Sequence, residues 1–511
     1  MNHKTVVVGG GFGGLAAAHR LQSAGISTTL VERQPRLGGK ARNVGVGSVL
    51  APGGPTVLTM RHVFEELFDA GGERLEEAVS LAPLDTIAHH RWSASERLDL
   101  HADVDANTAA IADFAGAAEA DGYRAFLADA ARIYATVDGP FIRSPKPDLF
   151  ALARAVGPLG ASKIRPFDTM WSALSQHFAD PRLRQLFGRY ATYCGASPFA
   201  APATLMLVAH VEQCGVWAID GGAAALARAI GDSFERHGGT VLLDAHVDDI
   251  RIKDRRVEGV VVDDCLVKAD SVIFAGDAAA VGAGLLGRMA SRAAPYVSPR
   301  HRSLSAVTFV AQARSEAPLD YHTVAFGPDY PAEFKALFGN RTMPEEPTVY
   351  VCAPEPPAEP GGTQGILIIL NAPADGDIRH YGEEDIARCK EQVMATLGRC
   401  GLPVTLEAAV SSTPTDFAAM LPGTGGAIYG RASHGWTASF QRPALRTRTR
   451  GLYLAGGSVH PGPGVPMSAL SGQMAAEALI RDFALTRQSR PAAMSGGTSM
   501  GSARTATTPS R

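Results

Sequence analysis

Thr5-Val6-Val7-Val8-Gly9-Gly10-Gly11-Phe12-Gly13-Gly14-Leu15-Ala16-Ala17-Ala18-His19-Arg20-Leu21 stands at the head of the chain and decides its architecture. The apolar run reads as a short buried strand. The glycines that follow have GxGxxG spacing, and the Ala/Leu-rich stretch after them reads as a helix. Strand, glycine turn and helix together form the first unit of a dinucleotide-binding fold. The glycines do different things. Gly9 makes the tight turn, Gly11 lets a pyrophosphate approach the backbone, and Gly14 lets the helix sit close to the strand. Phe12 and Gly13 open the helix, whose free N–H groups and positive dipole end face the phosphates.

Residues 27–32 form a second apolar run ending in Glu32, eighteen positions past Gly14. An acid at that place binds adenosine ribose hydroxyls and disfavours a phosphorylated ribose. The GxGxxG alone leaves NAD open. The next segment, Arg33-Gln34-Pro35-Arg36-Leu37-Gly38-Gly39-Lys40-Ala41-Arg42, resembles the second signature of FAD-binding amine-oxidase and desaturase flavoproteins, and that resemblance shifts the balance to FAD. Its paired glycines turn beside the pyrophosphate, and Lys40 or Arg42 can offset phosphate charge. A second strand–glycine–helix unit occurs late, at residues 451–477. Gly456 and Gly457 end its strand, His460-Pro461-Gly462-Pro463-Gly464 turns, and Val465, Pro466 and Met467 lead into an Ala-rich helix. It presents a second helix N-terminus to the cofactor.

The composition narrows the remaining classes. The chain has 511 residues, too long for one ordinary domain. Net charge is −3, from 48 Lys+Arg against 51 Asp+Glu, which argues against a polybasic nucleic-acid binder. Hydrophobic residues make up 46%, which excludes a disordered chain. Charged residues are 19%, below the usual level of about a quarter. No run is apolar and unbroken enough for a spanning helix. The six cysteines contain no CxxC pair, so no Cys-based metal site is expected.

Between the glycine motifs, residues 53–68 read as a Gly/Pro turn and an amphipathic helix with Leu58, Val63, Phe64, Leu67 and Phe68 on one face. Residues 106–190 are helical in pattern. The connection 145–166 holds a short apolar helix at 149–153, read as a lid, a membrane-facing patch or a core-facing helix. Residues 203–216 read as an apolar helix with His210 buried and hydrogen-bonded, and 223–236 as another helix. Residues 239–277 read as a small β-meander returning to the nucleotide sheet. Residues 305–311, 348–352 and 365–370 are near-continuous apolar strands of a second sheet. Residues 486–511 have the composition of a disordered tail.

Taken together, GGGFGGL at the start, Glu32 with Gly38-Gly39-Lys40, and Leu452-Tyr453-Leu454-Ala455-Gly456-Gly457-Ser458-Val459-His460-Pro461-Gly462-Pro463-Gly464-Val465-Pro466 make the chain resemble the bacterial carotenoid oxidoreductases of the phytoene desaturase type over nearly its full length. Gly54-Pro55-Thr56-Val57-Leu58-Thr59-Met60, Tyr193-Cys194-Gly195-Ala196-Ser197-Pro198-Phe199, Pro422-Gly423-Thr424-Gly425-Gly426-Ala427 and His434-Gly435-Trp436 are most similar to the 1-hydroxycarotenoid 3,4-desaturase (methoxyneurosporene dehydrogenase) branch.

The resemblance implies an α/β fold of three parts. A Rossmann-type FAD-binding domain takes 1–75, 222–290 and 445–485, a mixed-sheet substrate domain takes 76–105 and 291–444, and a helical cap takes 106–221. It implies non-covalent FAD with Pro55, Thr56 and Val247 added to the cofactor set, the backbone of Val247 holding the adenine. It also implies desaturation at carbons 3 and 4 of an acyclic hydroxycarotenoid, peripheral attachment to the cytoplasmic face of a membrane, and oxygen or a quinone as electron acceptor. Hydride loss beside a polyene needs no metal and at most a weak base, because the cation is delocalised and the cofactor carries the difficult step. His434 is the first candidate for a polar group near the substrate, against a structural role for it; Asp416 and Arg431 lie in the same stretch. His460 reads as fixing the backbone of its turn. A phytoene-type desaturase, a carotenoid isomerase or saturase, a flavin amine oxidase and a carotenoid carrier with a structural flavin are the alternatives.

Overall fold

The computed structural model describes residues 3–146, 148–165, 167–316, 319–359 and 361–488. At its centre lies a five-stranded parallel sheet in the order Leu452–Leu454, Ser271–Phe274, Lys4–Val8, Ser27–Val31, Thr240–Leu242. Val6, Val7, Leu30, Val272, Ile273 and Leu454 are buried, as strands covered on both faces must be. From Lys4–Val8 the sheet grows to one side through Ser27–Val31 and Thr240–Leu242, and to the other through Ser271–Phe274 and Leu452–Leu454. The order reverses at Lys4–Val8, and its carboxyl end opens a crevice for a ligand.

The helices Phe12–Ser23, Gly222–Arg236 and Val465–Gln488 cover this sheet. Two glycines set how near they come. A Cβ at Gly472 would lie 2.0 Å from the Gly13 carbonyl oxygen, and a Cβ at Gly13 would lie 2.7 Å from the Gly456 Cα. The first helix, the last helix and the two glycine turns therefore meet backbone to backbone.

The expected meander is present as the antiparallel strands Val247–Lys253, Arg256–Val262 and Cys265–Lys268. Both of its turns hold two residues at positive φ, Asp254 and Arg255, then Asp263 and Asp264. Such turns match the right-handed twist of the flanking strands.

The second sheet has seven strands in the order Val404–Ser412, Ser305–Ser315, Thr363–Ala372, Val349–Cys352, His322–Ala325, Thr86–Arg91, Arg97–His101. It is mixed, with His322–Ala325 and Thr86–Arg91 running parallel. Helix Glu383–Arg399 seals one face with Cys389, Val393 and Leu397. The hairpin of Asn43–Val46 and Val49–Pro52 packs on this sheet through Val46 and Ala51 against Val310 and Leu367. That stretch, expected with the FAD-binding domain, packs on the seven-stranded sheet.

The region between the sheets is helical: Val104–Ala115, Ala117–Val137, Leu149–Lys163, Met170–His177, Pro181–Gly188 and Leu207–Gln213. Asp103, Asp148, Thr169 and Asp180 cap four of them by accepting backbone N–H bonds.

Three local expectations change. The helix read at 203–216 is a 3₁₀ turn, Ala203–Met206, followed by Leu207–Gln213. Leu58 precedes its helix, which begins at His62, because Met60 takes a positive φ. The last helix continues to Gln488, past residue 486 where the tail was expected; the rest of that tail lies outside the described residues. No helix among the described residues is long and apolar enough to cross a membrane.

Candidate active site

A cavity of about 610 Å³ runs along the carboxyl ends of the parallel strands. The first glycine turn forms its floor. Gly38 N donates to the Gly10 carbonyl at 2.8 Å, so the second glycine motif docks directly on the first. Glu32 is 6% exposed; its Oε2 accepts from Gly10 N at 2.6 Å and its Oε1 from Gln34 N at 2.8 Å. Backbone thus fixes the carboxylate, while each oxygen keeps acceptor capacity for a ribose hydroxyl. The carboxyl of Asp277 is pushed up by burial and caps a short helix through Ala279 N at 2.9 Å. Burial lowers the pKa of Lys40, and the Asp277 charge opposes that. Its Nζ donates to the Ile428 carbonyl.

A second cavity, of about 600 Å³, lies between the seven-stranded sheet and the helical region. Its wall is mostly apolar: Leu149, Leu152, Val156, Leu205, Val208 and Ile369 are typical. Pro55, Ile369, Asn371, Tyr429 and Gly464 line both cavities, so the two chambers join at one seam.

Polar groups in the second chamber are few and clustered. Thr56 Oγ1 and Tyr350 OH are 2.6 Å apart, and Tyr350 OH is 2.6 Å from His322 Nδ1. Burial lowers the His322 pKa to about 3. Tyr193 OH donates to Glu212 Oε1 at 2.9 Å, and Arg189 donates to Tyr193. Glu333 accepts from Thr348 Oγ1 at 2.7 Å, and burial pushes its carboxyl up to about 7.

The flavin containing amine oxidoreductase model matches residues 12–480, nearly the whole of this arrangement. The chain belongs to that family. Among its relatives is the hydroxyneurosporene desaturase of Rubrivivax gelatinosus, 44% identical over 98% of each chain. The 1-hydroxycarotenoid 3,4-desaturase of a Flavobacterium species is 28% identical over 93% of this chain and 98% of its own. A putrescine oxidase with bound putrescine shares the fold at a TM-score of 0.60 and 16% identity, over 94% of this chain and 99% of that one.

FAD is the cofactor of this amine oxidoreductase family member, and its residues fit that group. Nothing stands within 4 Å of where a Cβ would sit on Gly11, although Gly11 lines the cavity, so the space beside its backbone is open to a pyrophosphate. Gly9, Gly11, Phe12, Gly13, Glu32, Gly39, Lys40, Pro55, Val247, Gly456, Gly457 and Val465 all line the nucleotide chamber. Four of the expected cofactor residues stand elsewhere. Gly14 faces the strand: a Cβ there would be 1.9 Å from the Gly9 oxygen. Thr56, Pro466 and Met467 line the apolar chamber, just across the seam.

The histidine candidates are structural. His434 lines neither chamber; its Nε2 accepts from Ser197 N at 2.9 Å, and burial lowers its pKa to about 4. The expectation of a substrate-facing role is therefore corrected, because the ring is spent on holding a turn. His460 Nε2 bonds the Phe141 carbonyl at 2.8 Å. His210 is half-buried rather than enclosed, beside Cys214 and the Tyr134 ring. Asp416 accepts from Thr413 N and Oγ1, both at 2.7 Å, and caps its own helix. Among the described residues no group of His, Cys, Asp and Glu has the spacing of a metal site.

Glu333, Asn371, Arg189, Glu212 and Asp277 escaped sequence reading. Only Asp277 carried a local signal, as the acid that closes a strand and opens a glycine-adjacent helix.

Proposed function

We propose that this flavoprotein desaturates an acyclic 1-hydroxycarotenoid, such as 1-hydroxyneurosporene, at carbons 3 and 4. The observation that carries the reading is the seam: an apolar chamber with a narrow polar cluster opens onto the FAD chamber at Pro55, Asn371 and Gly464. A long polyene needs an apolar channel, and burying it there is favourable at about 25 cal/mol per Å² of apolar surface. The carotenoid desaturases among the relatives point to the same substrate class. Bound FAD supplies the hydride acceptor. Ile369, Val208 and Leu205 hold the polyene and exclude water, while Tyr429 and Asn371 orient the chain at the seam.

The chamber also has an apolar rim. Phe150 is 86% exposed and Phe167 81% exposed, and the Phe167 ring stands edge-on to Trp436 at 5.8 Å. Phe167 and Trp436 line the chamber beside Leu149 and Leu152. Exposed aromatics at the entrance to an apolar chamber favour docking on a lipid surface, from which a carotenoid enters without crossing water. The reading includes attachment at the cytoplasmic face of the membrane, with oxygen or a quinone taking the electrons; the six free thiols suit a reducing compartment.

The test is incubation of the FAD-loaded protein with 1-hydroxyneurosporene, neurosporene, phytoene and putrescine in turn. Expected is a red-shifted carotenoid product from the first. Turnover of putrescine alone would overturn the reading, and a product without net oxidation would replace it with an isomerase.

A further inference from the structure

We propose that Glu333, with Asn371 beside it, is the receptor for the substrate's C1 hydroxyl and thereby sets which carbon–carbon bond faces the flavin. The inference rests on the hydroxycarotenoid reading above and adds the group that recognises the hydroxyl.

Glu333 is 3% exposed and lines the apolar chamber. It sits on the short helix Tyr330–Phe334, whose first turn is fixed by Asp329 accepting from Ala332 N at 2.9 Å. One of its oxygens is fully engaged: Oε2 accepts from Thr348 Oγ1 at 2.7 Å and Thr348 N at 3.3 Å. Its other oxygen, Oε1, is buried; the Asn371 side chain lies against the carboxyl, but no hydrogen bond of normal geometry reaches Oε1. An acceptor buried without a partner costs about 1–3 kcal/mol. Such groups are rare in folded proteins, and each calls for a ligand or an explanation.

Two other polar clusters in and beside the chamber are bonded internally. Thr56, Tyr350 and His322 bond one another, and Tyr193 bonds Glu212. Arg189 has nitrogens without hydrogen bonds, but its guanidinium lies 5.2 and 5.1 Å from the Tyr190 and Tyr193 ring centres and 3.9 Å from Glu212. Glu333 Oε1 has no such compensation, and a hydroxyl, which can both donate and accept, completes it whether the carboxyl is ionised or carries its proton on that oxygen.

Position selects a hydroxyl close to the reacting bond. The oxygen of a hydroxyl on carbon 1 is three bonds from carbon 3, so its receptor must stand near the reacting bond rather than deep in the channel. Asn371 lines both chambers and lies against Glu333. Thr348 and Asn371 are the residues next beyond the Val349–Leu370 pair on their two chains, and both side chains meet Glu333, so the three lie together at the seam. Once the hydroxyl is held there, carbons 3 and 4 are the first carbons that can lie over the cofactor. Buried polar groups left unpaired by an analogue lacking the hydroxyl also give strong rejection of that analogue.

The experiment uses the FAD-loaded enzyme and compares Kd for 1-hydroxyneurosporene and neurosporene, read by the carotenoid absorption change. Wild type, Glu333→Met and Glu333→Gln are measured, each with its flavin content. Expected is a wild-type preference of about tenfold or more for the hydroxylated carotenoid, abolished in Glu333→Met and reduced in Glu333→Gln, whose amide oxygen still accepts. Infrared difference spectra give a second readout that does not depend on Glu333→Met folding. A carboxyl-stretch change should appear with the hydroxylated carotenoid, be missing with neurosporene, and vanish in Glu333→Gln. A preference unchanged in both variants, or affinity for both carotenoids lost equally, overturns the inference alone. A wild type that binds neither carotenoid overturns the hydroxycarotenoid reading and the inference with it.

Discussion

At Gly11 and Gly13, two positions apart in one turn, an added side chain would meet opposite surroundings. A Cβ on Gly11 points into open cavity, whereas one on Gly13 would reach to 2.7 Å of the Gly456 backbone. Gly11→Val is expected to fold with an unchanged melting temperature and to lose bound FAD by about tenfold or more, seen as absorbance after gel filtration. Gly13→Ala is expected to cost about 1–3 kcal/mol of stability, because two backbones must part. Equal effects at the two sites would contradict this geometry. Glu333 has a pH signature of its own. Its folded pKa, raised by burial to about 7 against an ordinary 4.5, means that the native state holds the proton more tightly than the unfolded chain. Its contribution to stability is complete below pH 4.5 and is lost as pH rises through about 7. Thermal melts of wild type against Glu333→Gln should therefore diverge between about pH 5 and 8, with wild type falling behind; a constant gap would refute the assignment of a buried, protonated carboxyl.

Among the elements, Leu149–Lys163 admits three readings from its sequence, as lid, membrane-facing patch or core helix. In the structure it takes two faces at once: Leu149, Leu152 and Val156 line the chamber while Phe150 is exposed. Each exposed ring would contribute about 1.5–3 kcal/mol on entering an apolar phase. Phe150→Asp with Phe167→Asp is accordingly expected to reduce co-sedimentation with liposomes by about tenfold or more, with flavin content unchanged. Binding that survives the double substitution would rule out this rim as the docking surface. Strands show how unevenly local patterns speak. Residues 305–311 and 365–370 announce themselves as continuous apolar runs because both faces are covered. Val404–Ser412 lies at the sheet edge with only partly buried alternate residues, and Thr86–Arg91 carries two histidines and an arginine, so neither stands out.

Across the whole molecule, buried histidines tie the parts together. His19 bonds Ser233 between two helices, His434 holds a turn, and His460 joins the late glycine motif to Phe141. Burial lowers the pKa of all three to about 4, and that of His322 to about 3. A depressed folded pKa means stability that is complete above the ordinary value of 6.5 and is lost as pH falls through about 4. Denaturant unfolding at about pH 7, 5.5 and 4 should show stability falling steeply over the lower interval, with loss of FAD; equal stability at the two extremes would contradict neutral buried rings. The nucleotide chamber is legible in the order of amino acids alone, because a dinucleotide must touch backbone. Backbone contact demands glycines at fixed short spacing, and Gly9 to Gly14, Gly38 and Gly39, and Gly456 and Gly457 are local words. The apolar chamber, by contrast, takes shape only on folding. Thr56, Arg189, Glu333 and Asn371 come from distant segments, and Glu333 looks in sequence like any glutamate on a helix. Packing removes it from water and leaves one oxygen bare, so its chemistry exists only once the sheet, the cap and the glycine turns have closed around the seam.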